Sequence, residues 1–109
     1  MQKYKAVFSD IDGTLLNSKH QIPTATKNKI QEINKQGVPY VLVSARMPKG
    51  MTNIRAELGG KSPMICYSGA LVVDEDDKPI YSVAISKEDA KNLCKRIQEL
   101  NSKISINIY

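Results

Sequence analysis

Two carboxylates stand where this chain could do chemistry. Asp10 and Asp12 are two residues apart, at the point where a short apolar run, Ala6-Val7-Phe8, gives way to Gly13-Thr14. Burying a carboxylate without a partner is costly, so such a pair calls for a cation, a shared proton or both. Alone, Asp10 reads as a strand-terminal cap of a turn, or as a nucleophile or metal ligand. The attached Asp12-Gly13-Thr14 favours the second reading. A carboxylate can attack phosphorus to give an aspartyl-phosphate, which divides one hard displacement into two easier ones. A magnesium ion would offset the repulsion between that carboxylate and the phosphate oxygens. Asp12 could give a proton to the leaving oxygen and later take one from water. Gly13 would let the backbone approach a phosphate, and successive amides there would form an anion-binding nest. A calcium loop of the EF-hand type fails, because Gly13, Thr14 and Leu15 follow Asp12 where further oxygen ligands and a terminal Glu are required.

Two further polar groups follow apolar runs. Ser44-Ala45-Arg46 comes directly after Val38-Pro-Tyr-Val-Leu-Val43. Ser44 is either a solvated hydroxyl or a phosphate donor helped by amides at the start of the next helix, and the Asp pair favours the donor. Arg46 either reaches a phosphate or substrate oxygen or lies on the surface. Ser68-Gly69 follows Pro63-Met-Ile-Cys-Tyr67 and is a candidate substrate contact. His20, the one histidine, sits in a polar loop and receives no role. The acidic stretch Asp74 to Asp77 reads as the solvated tip of a hairpin.

The elements that must position these groups are legible as apolar runs and punctuation. Tyr4 to Ser9 reads as a short buried strand, and residues 10–22 as a polar loop anchored by Leu15, Leu16 and Ile22. A helix starts near Pro23, carries Ala25, Ile30 and Ile33 on its apolar side and stops at Gly37. Val38 to Val43 suits a parallel strand covered on both faces, with Pro39 at its beginning. A second helix begins around Pro48, with Met51, Ile54 and Leu58 on one face and Gly59-Gly60 as its stop. Pro63 to Tyr67 is a third strand. Ala70 to Val73 and Ile80 to Val83 form a hairpin. Ser86 to Asp89 resembles a capping box, and Ala90, Leu93, Cys94, Ile97 and Leu100 make one helical stripe behind it. Ile104, Ile106 and Ile108 alternate with polar residues, as in a one-faced strand. Strand–helix–strand–helix–strand over residues 4–67 implies a Rossmann-like α/β fold with a parallel sheet and right-handed crossovers. Ligands in such sheets sit beyond the carboxyl ends of the strands, and Asp10, Ser44 and Ser68 each fall just after a predicted strand.

Composition sets the outer bounds. The 109 residues are 41% hydrophobic and 25% charged, which suits one globular domain or part of one. The formal net charge of +5 is carried by scattered residues with no run of five or more cations, so solvated faces are expected in preference to a nucleic-acid-binding surface. Cys66 and Cys94 lack C-x-x-C spacing and read as reduced core thiols. No apolar run approaches the roughly 18 residues needed to span a membrane, and the polar Met1-Gln-Lys-Tyr-Lys5 ahead of the first strand gives no expectation of a signal peptide. A cytoplasmic protein with no membrane and no nucleic-acid partner is expected.

With these residues in hand, Asp10-Ile-Asp-Gly-Thr-Leu-Leu16 resembles the first motif of the haloacid dehalogenase superfamily of phosphohydrolases. Val-Leu-Val-Ser44-Ala-Arg46 resembles the second motif, and Pro63-Met-Ile-Cys-Tyr-Ser-Gly-Ala with the following hairpin is similar to the Cof-type subfamily, which acts on sugar phosphates and related small phosphates. The resemblance implies a core domain over residues 1–84, incomplete, and the beginning of an α/β cap over 85–109. It implies Asp10 as nucleophile and magnesium ligand, and Asp12 as general acid and base with its backbone carbonyl on the metal. Ser44 would hold the transferring phosphoryl group, with Gly13, Thr14, Ala45, Arg46, Ser68 and Gly69 around phosphate and substrate. The second motif usually reads Thr-Gly-Arg; Ser44 keeps the hydroxyl and Ala45 is bulkier than glycine. An Asn frequent before the glycine of the third phrase is Ser68 here. The family's later lysine and acidic cluster have no counterpart in these 109 residues. The expectation is a magnesium-dependent phosphohydrolase type whose present chain is truncated and turns over little or not at all, with a non-catalytic phosphate- or partner-binding remnant as the alternative. Self-association through an exposed C-terminal strand is expected with it.

Overall fold

Parallel strand pairing dictates the centre of the molecule. The computed structural model describes residues 3–109; the first two residues of the expected core domain lie outside the described residues. The first strand, β1, is Val7–Asp10, followed by α1, Thr24–Lys35, and β2, Tyr40–Val43. A 3-10 turn at Pro48–Gly50 leads into α2, Thr52–Glu57, and then β3, Met64–Cys66. A second 3-10 turn at Tyr67–Gly69 precedes β4, Leu71–Val73, and β5, Pro79–Ser82; α3 is Lys87–Leu100. The sheet runs β1-β2-β3-β4-β5, with the first three strands parallel and the last two added as an antiparallel hairpin.

The expected α/β core is present, with shifted boundaries. β1 begins three residues later than the sequence suggests and includes Asp10, because pairing with Tyr40 to Val43 runs from Val7 to Asp10. Pro23 immediately precedes α1 instead of opening it. The core gathers under one side of the sheet. Ile11, Leu15 and Ile22 fold the loop after β1 onto Ile30 of α1, Met51 and Leu58 around α2, and Leu42, Met64, Cys66 and Val73 of the sheet. The polar loop is thus pinned from within. Val41 and Leu42 point to opposite faces and both are buried, so β2 is covered on both sides at its centre. Phe8 on β1 is 62% exposed, because β1 is an edge of the sheet.

Two expectations fail at the far end. Residues 104–109 are not a strand. Alternating apolar residues make a strand only when another chain segment accepts their backbone hydrogen bonds, and no described segment pairs with them. The stripe on α3 also finds little to pack against: Leu93 and Leu100 are exposed and no residue of α3 is fully buried, Cys94 included. The helix forms nonetheless. The Ser86 hydroxyl accepts from the Asp89 amide at 3.0 Å, a cap worth about 1 kcal/mol. The radius of gyration is 17.6 Å, against about 13 Å for a compact domain of this size, so residues after β5 project from the core.

The hairpin tip is not merely solvated. Arg55 of α2 is buried, and its guanidinium donates to the carbonyls of Ser62 and Asp74 at 3.2 and 3.1 Å and to Asp77 at 2.5 Å. It fastens the turn between β4 and β5 to the back of the sheet. Burial pushes the thiol of the neighbouring Cys66 upward, while Arg55 pulls the other way; such a thiol is inert at neutral pH. Replacing Arg55 by Met leaves the Ser62 carbonyl without its donor and the Asp77 carboxylate without its partner, while the Asp74 carbonyl keeps the Asp77 amide. Urea unfolding of Arg55→Met is expected to show a loss of about 2 kcal/mol; a loss no larger than that of an ordinary surface substitution would contradict this assignment.

Candidate active site

The register brings the three predicted strand ends abreast. Asp10 lies opposite Val43, and Val43 opposite Ile65, so the residues that follow each strand gather at one edge of the sheet. Backbone bonds lock that edge together: the Ser44 amide donates to the Ile65 carbonyl, the Ser68 amide to the Ser44 carbonyl, and the Tyr67 amide to the Arg46 carbonyl, each at 3.0 Å. The β3 end reaches these partners by an unusual path. Tyr67 and Ser68 have φ of 49° and 55°, and Gly69 follows at 98°. Left-handed backbone costs a non-glycine residue about 1 kcal/mol or more, and it persists here because both amides are tied to the β2 end.

A cleft of about 570 Å³ opens at this edge. Its lining includes Asp10, Ser44, Ala45, Ser68 and Gly69, five of the residues singled out from sequence, together with Phe8 on the exposed edge. Phe8 was not anticipated; its position two residues before Asp10 places both on the same strand face, a signal that was available in the sequence. Ser44 is 5% exposed, and its Oγ accepts from the Arg46 amide at 3.1 Å. With its lone pair engaged, the hydroxyl proton is free to be donated into the cleft. The Asp10 carboxylate accepts no hydrogen bond from any described residue. An exposed, uncommitted carboxylate beside a buried, oriented hydroxyl suits a phosphoryl group with a cation between them.

The other expected site residues lie outside the cleft lining. Asp12 is held by Arg46 in a two-point pair, Nε to Oδ2 at 2.9 Å and Nη2 to Oδ1 at 2.7 Å, and Arg46 also donates to the Gly50 carbonyl at 3.2 Å. Fork-to-fork geometry of this kind is the strong form of an ion pair. Arg46 thus engages a carboxylate 34 positions earlier. The Arg46 guanidinium holds the Asp12 carboxyl below the usual carboxylate range, and Asp12 raises Arg46 in turn. In this arrangement the pair favours the ionised form of Asp12. The turn behind it is compact: the amides of Thr14, Leu15 and Leu16 all converge on the Ile11 carbonyl. Thr14 therefore contributes no amide to an anion nest, which leaves the amides of Asp12 and Gly13 uncommitted. Gly13 has φ of +74° and open space where a Cβ would stand, so the backbone conformation, not crowding, calls for glycine.

The donor set is compatible with a magnesium ion. The Asp10 carboxylate and the Asp12 backbone carbonyl are hard oxygen donors that no described group occupies. No cluster of three or more His, Cys, Asp or Glu residues occurs among the described residues, so magnesium here would keep several waters. One consequence of the ion pair is measurable. Because Arg46 lowers the Asp12 value, the pair's contribution to stability is present above the ordinary carboxylate range and disappears as pH falls through the lowered value. In Arg46→Met, a carboxyl-carbon NMR titration is expected to show Asp12 rising towards its ordinary range; an unchanged titration curve would contradict the pairing.

Comparison with known proteins agrees with this geometry. Residues 7–109 match the family model described as haloacid dehalogenase-like hydrolase. A Haemophilus influenzae protein named "Putative phosphatase" is 37% identical over 106 residues, covering 97% of this chain and 40% of that protein. The crystal structure of a haloacid dehalogenase-like hydrolase from Bacteroides thetaiotaomicron superposes with a TM-score of 0.77 at 27% identity, over 89% of this chain and 39% of that one. A sugar phosphatase of subclass IIB superposes with a TM-score of 0.66 at 28% identity, over 89% of this chain and 38% of the other. The chain spans about two fifths of the length of the relatives it matches. It belongs to the haloacid dehalogenase-like hydrolases, in their Cof-type group.

Proposed function

We propose that this chain carries the nucleophile side of a magnesium-dependent phosphohydrolase site for a small phosphorylated metabolite such as a sugar phosphate. The observation that supports it most is the uncommitted Asp10 carboxylate in the same cleft as the buried Ser44 hydroxyl, beyond the ends of three parallel strands. The likeness to a sugar phosphatase supports the substrate class. In this reading an Asp10 oxygen bonds to phosphorus as the bond to the leaving oxygen breaks, and water later cleaves the aspartyl-phosphate to release phosphate. Ser44 donates its hydroxyl proton to a phosphoryl oxygen. Ala45 and Gly69 bring the backbone close to the substrate, and Ser68 offers a second hydroxyl. Asp12 protonates the leaving oxygen, which requires that its pair with Arg46 open and that it take up a proton first. Asp10 and the Asp12 carbonyl would hold magnesium, which when bound supplies positive charge against the phosphate oxygens.

The same reading divides the chain into a core over residues 1–84 and the start of a cap over 85–109, in keeping with the projection of α3. The two free thiols fit a reducing, cytoplasmic setting. Turnover by this chain alone is expected to be slow or nil, because among the described residues no cationic side chain lines the cleft to balance carboxylate and phosphate. A non-catalytic phosphate-binding role is the second reading, and the closed Asp12–Arg46 pair favours it for the resting state.

The test combines turnover with binding. With p-nitrophenyl phosphate and magnesium, any hydrolysis by wild type should vanish with EDTA and fall by at least about 1000-fold in Asp10→Asn. Inorganic phosphate should shift the amide resonances of Ala45 and Ser68 whether or not turnover is seen. Hydrolysis equal in wild type and Asp10→Asn, or an absence of phosphate shifts at the cleft, would overturn the reading.

A further inference from the structure

The leaving group of the proposed reaction has to lie on the Asp12 side of the cleft. Asp12 is the group that protonates the leaving oxygen in that reading, and Arg46 holds its carboxylate at 2.9 and 2.7 Å. Arg46 in turn lines a pocket of about 320 Å³, together with Met47, Tyr67 and Tyr109.

Pocket and cleft adjoin along two strand ends. Ala45 lines both spaces. After β2 the wall passes from Ser44 in the cleft through Ala45 to Arg46 in the pocket, and after β3 from Ser68 in the cleft to Tyr67 in the pocket. Each step is one residue, about 3.8 Å between Cα atoms. The two walls are tied at both levels, because the amides of Ser68 and Tyr67 donate to the carbonyls of Ser44 and Arg46 at 3.0 Å. The left-handed backbone falls on this junction: Tyr67 and Ser68, with φ of 49° and 55°, are neighbours that line different spaces. Strain of this kind clusters where ligands are held.

The pocket combines an aromatic surface with hydrogen-bonding groups of both kinds. The rings of Tyr67 and Tyr109 have centroids 6.3 Å apart and are tilted by 34°. A ring inserted between them needs about 7 Å, twice a carbon–carbon contact, so the tyrosines form one wall and not a sandwich. Beside that wall, Arg46 keeps N–H donors beyond those given to Asp12 and to the Gly50 carbonyl, and the exposed Asp12 carboxylate keeps lone pairs beyond those engaged by Arg46. A purely apolar body would desolvate this ion pair with nothing in return. A sugar ring matches it, with C–H faces for the tyrosines and hydroxyls that both give and accept hydrogen bonds.

We propose that this pocket is the leaving-group subsite, in which Tyr67 and Tyr109 carry the C–H face of a neutral sugar ring while Arg46 and Asp12 take its hydroxyls. The inference rests on the cleft being a phosphoryl site and adds what the phosphate is attached to. It makes the two tyrosines specificity-determining residues: the cleft selects phosphate, and the pocket selects its carbon body.

The experiment titrates glucose 6-phosphate, cyclohexylmethyl phosphate and inorganic phosphate into the full 109-residue chain with magnesium, following amide and tyrosine ring resonances. Wild type is expected to bind glucose 6-phosphate about tenfold more tightly than inorganic phosphate, which is what an aromatic contact and a hydrogen bond supply. Cyclohexylmethyl phosphate, which has the ring without the hydroxyls, should bind more weakly than glucose 6-phosphate. Nuclear Overhauser contacts should join the sugar ring protons to the rings of Tyr67 and Tyr109. Tyr67→Leu and Tyr109→Leu should each weaken glucose 6-phosphate about fivefold, the size of one aromatic contact, and leave inorganic phosphate unchanged. Tyr109→Phe, which keeps the ring, and Tyr81→Leu, at an exposed tyrosine outside the pocket, should behave as wild type. Equal affinity for glucose 6-phosphate and inorganic phosphate, cyclohexylmethyl phosphate binding as tightly as the sugar, or leucine variants that weaken both phosphates alike would overturn the subsite while leaving the cleft intact. Absence of shifts at Ser44 and Ser68 with any of the three ligands would overturn the cleft reading and this inference together.

Discussion

Parallel pairing of β1, β2 and β3 is the constraint on which the site depends. Asp10, Ser44 and Ser68 are far apart in sequence, and each alone is an ordinary polar residue at the end of an apolar run. The register sets Asp10, Val43 and Ile65 side by side, and the backbone bonds from Ser68 to Ser44 and from Tyr67 to Arg46 bind the loops beyond them. A one-residue slip in any of the three would turn a cleft residue to the opposite face. The apolar core beneath, with Leu42, Met64, Cys66 and Val73 from successive strands, makes that slip expensive. Packing energy on one side of the sheet thereby fixes polar geometry at its edge.

Within this frame the two carboxylates live in different environments. Asp10 is free and faces the cleft; Asp12 is held at two points by Arg46. A pair of identical groups two residues apart therefore begins in two different chemical states. One is uncommitted, and the other is ion-paired, so that its release requires Arg46 to move. The left-handed backbone at Tyr67 and Ser68 belongs to the same arrangement, since strain of this kind survives only where surrounding bonds over-determine it.

Much of this was legible in the sequence because it is written locally. Apolar runs ended by polar or glycine residues marked β1, β2 and β3, and the Asp10-x-Asp12-Gly13 pattern marked the site before any shape was known. What was not legible depends on distance. The Asp12–Arg46 pair spans 34 positions, and the burial of Arg55 against the hairpin tip spans 22 to Asp77. Nothing in a local pattern announces either. The left-handed turn escaped notice because Tyr67 and Ser68 are not residues that ask for it. The reading of 104–109 as a strand failed for the converse reason: alternation shows which face a strand would present, but pairing requires a partner that the pattern does not contain.

The central claim is that the Asp10 carboxylate receives a phosphoryl group in the cleft. Beryllofluoride, which mimics a phosphoryl group bonded to a carboxylate, tests this without requiring turnover. Fluorine NMR of the chain with magnesium and beryllofluoride should show a bound resonance that is absent from Asp10→Asn and accompanied by amide shifts at Ser44 and Ala45. A bound resonance that survives Asp10→Asn, or none in wild type, would contradict the account.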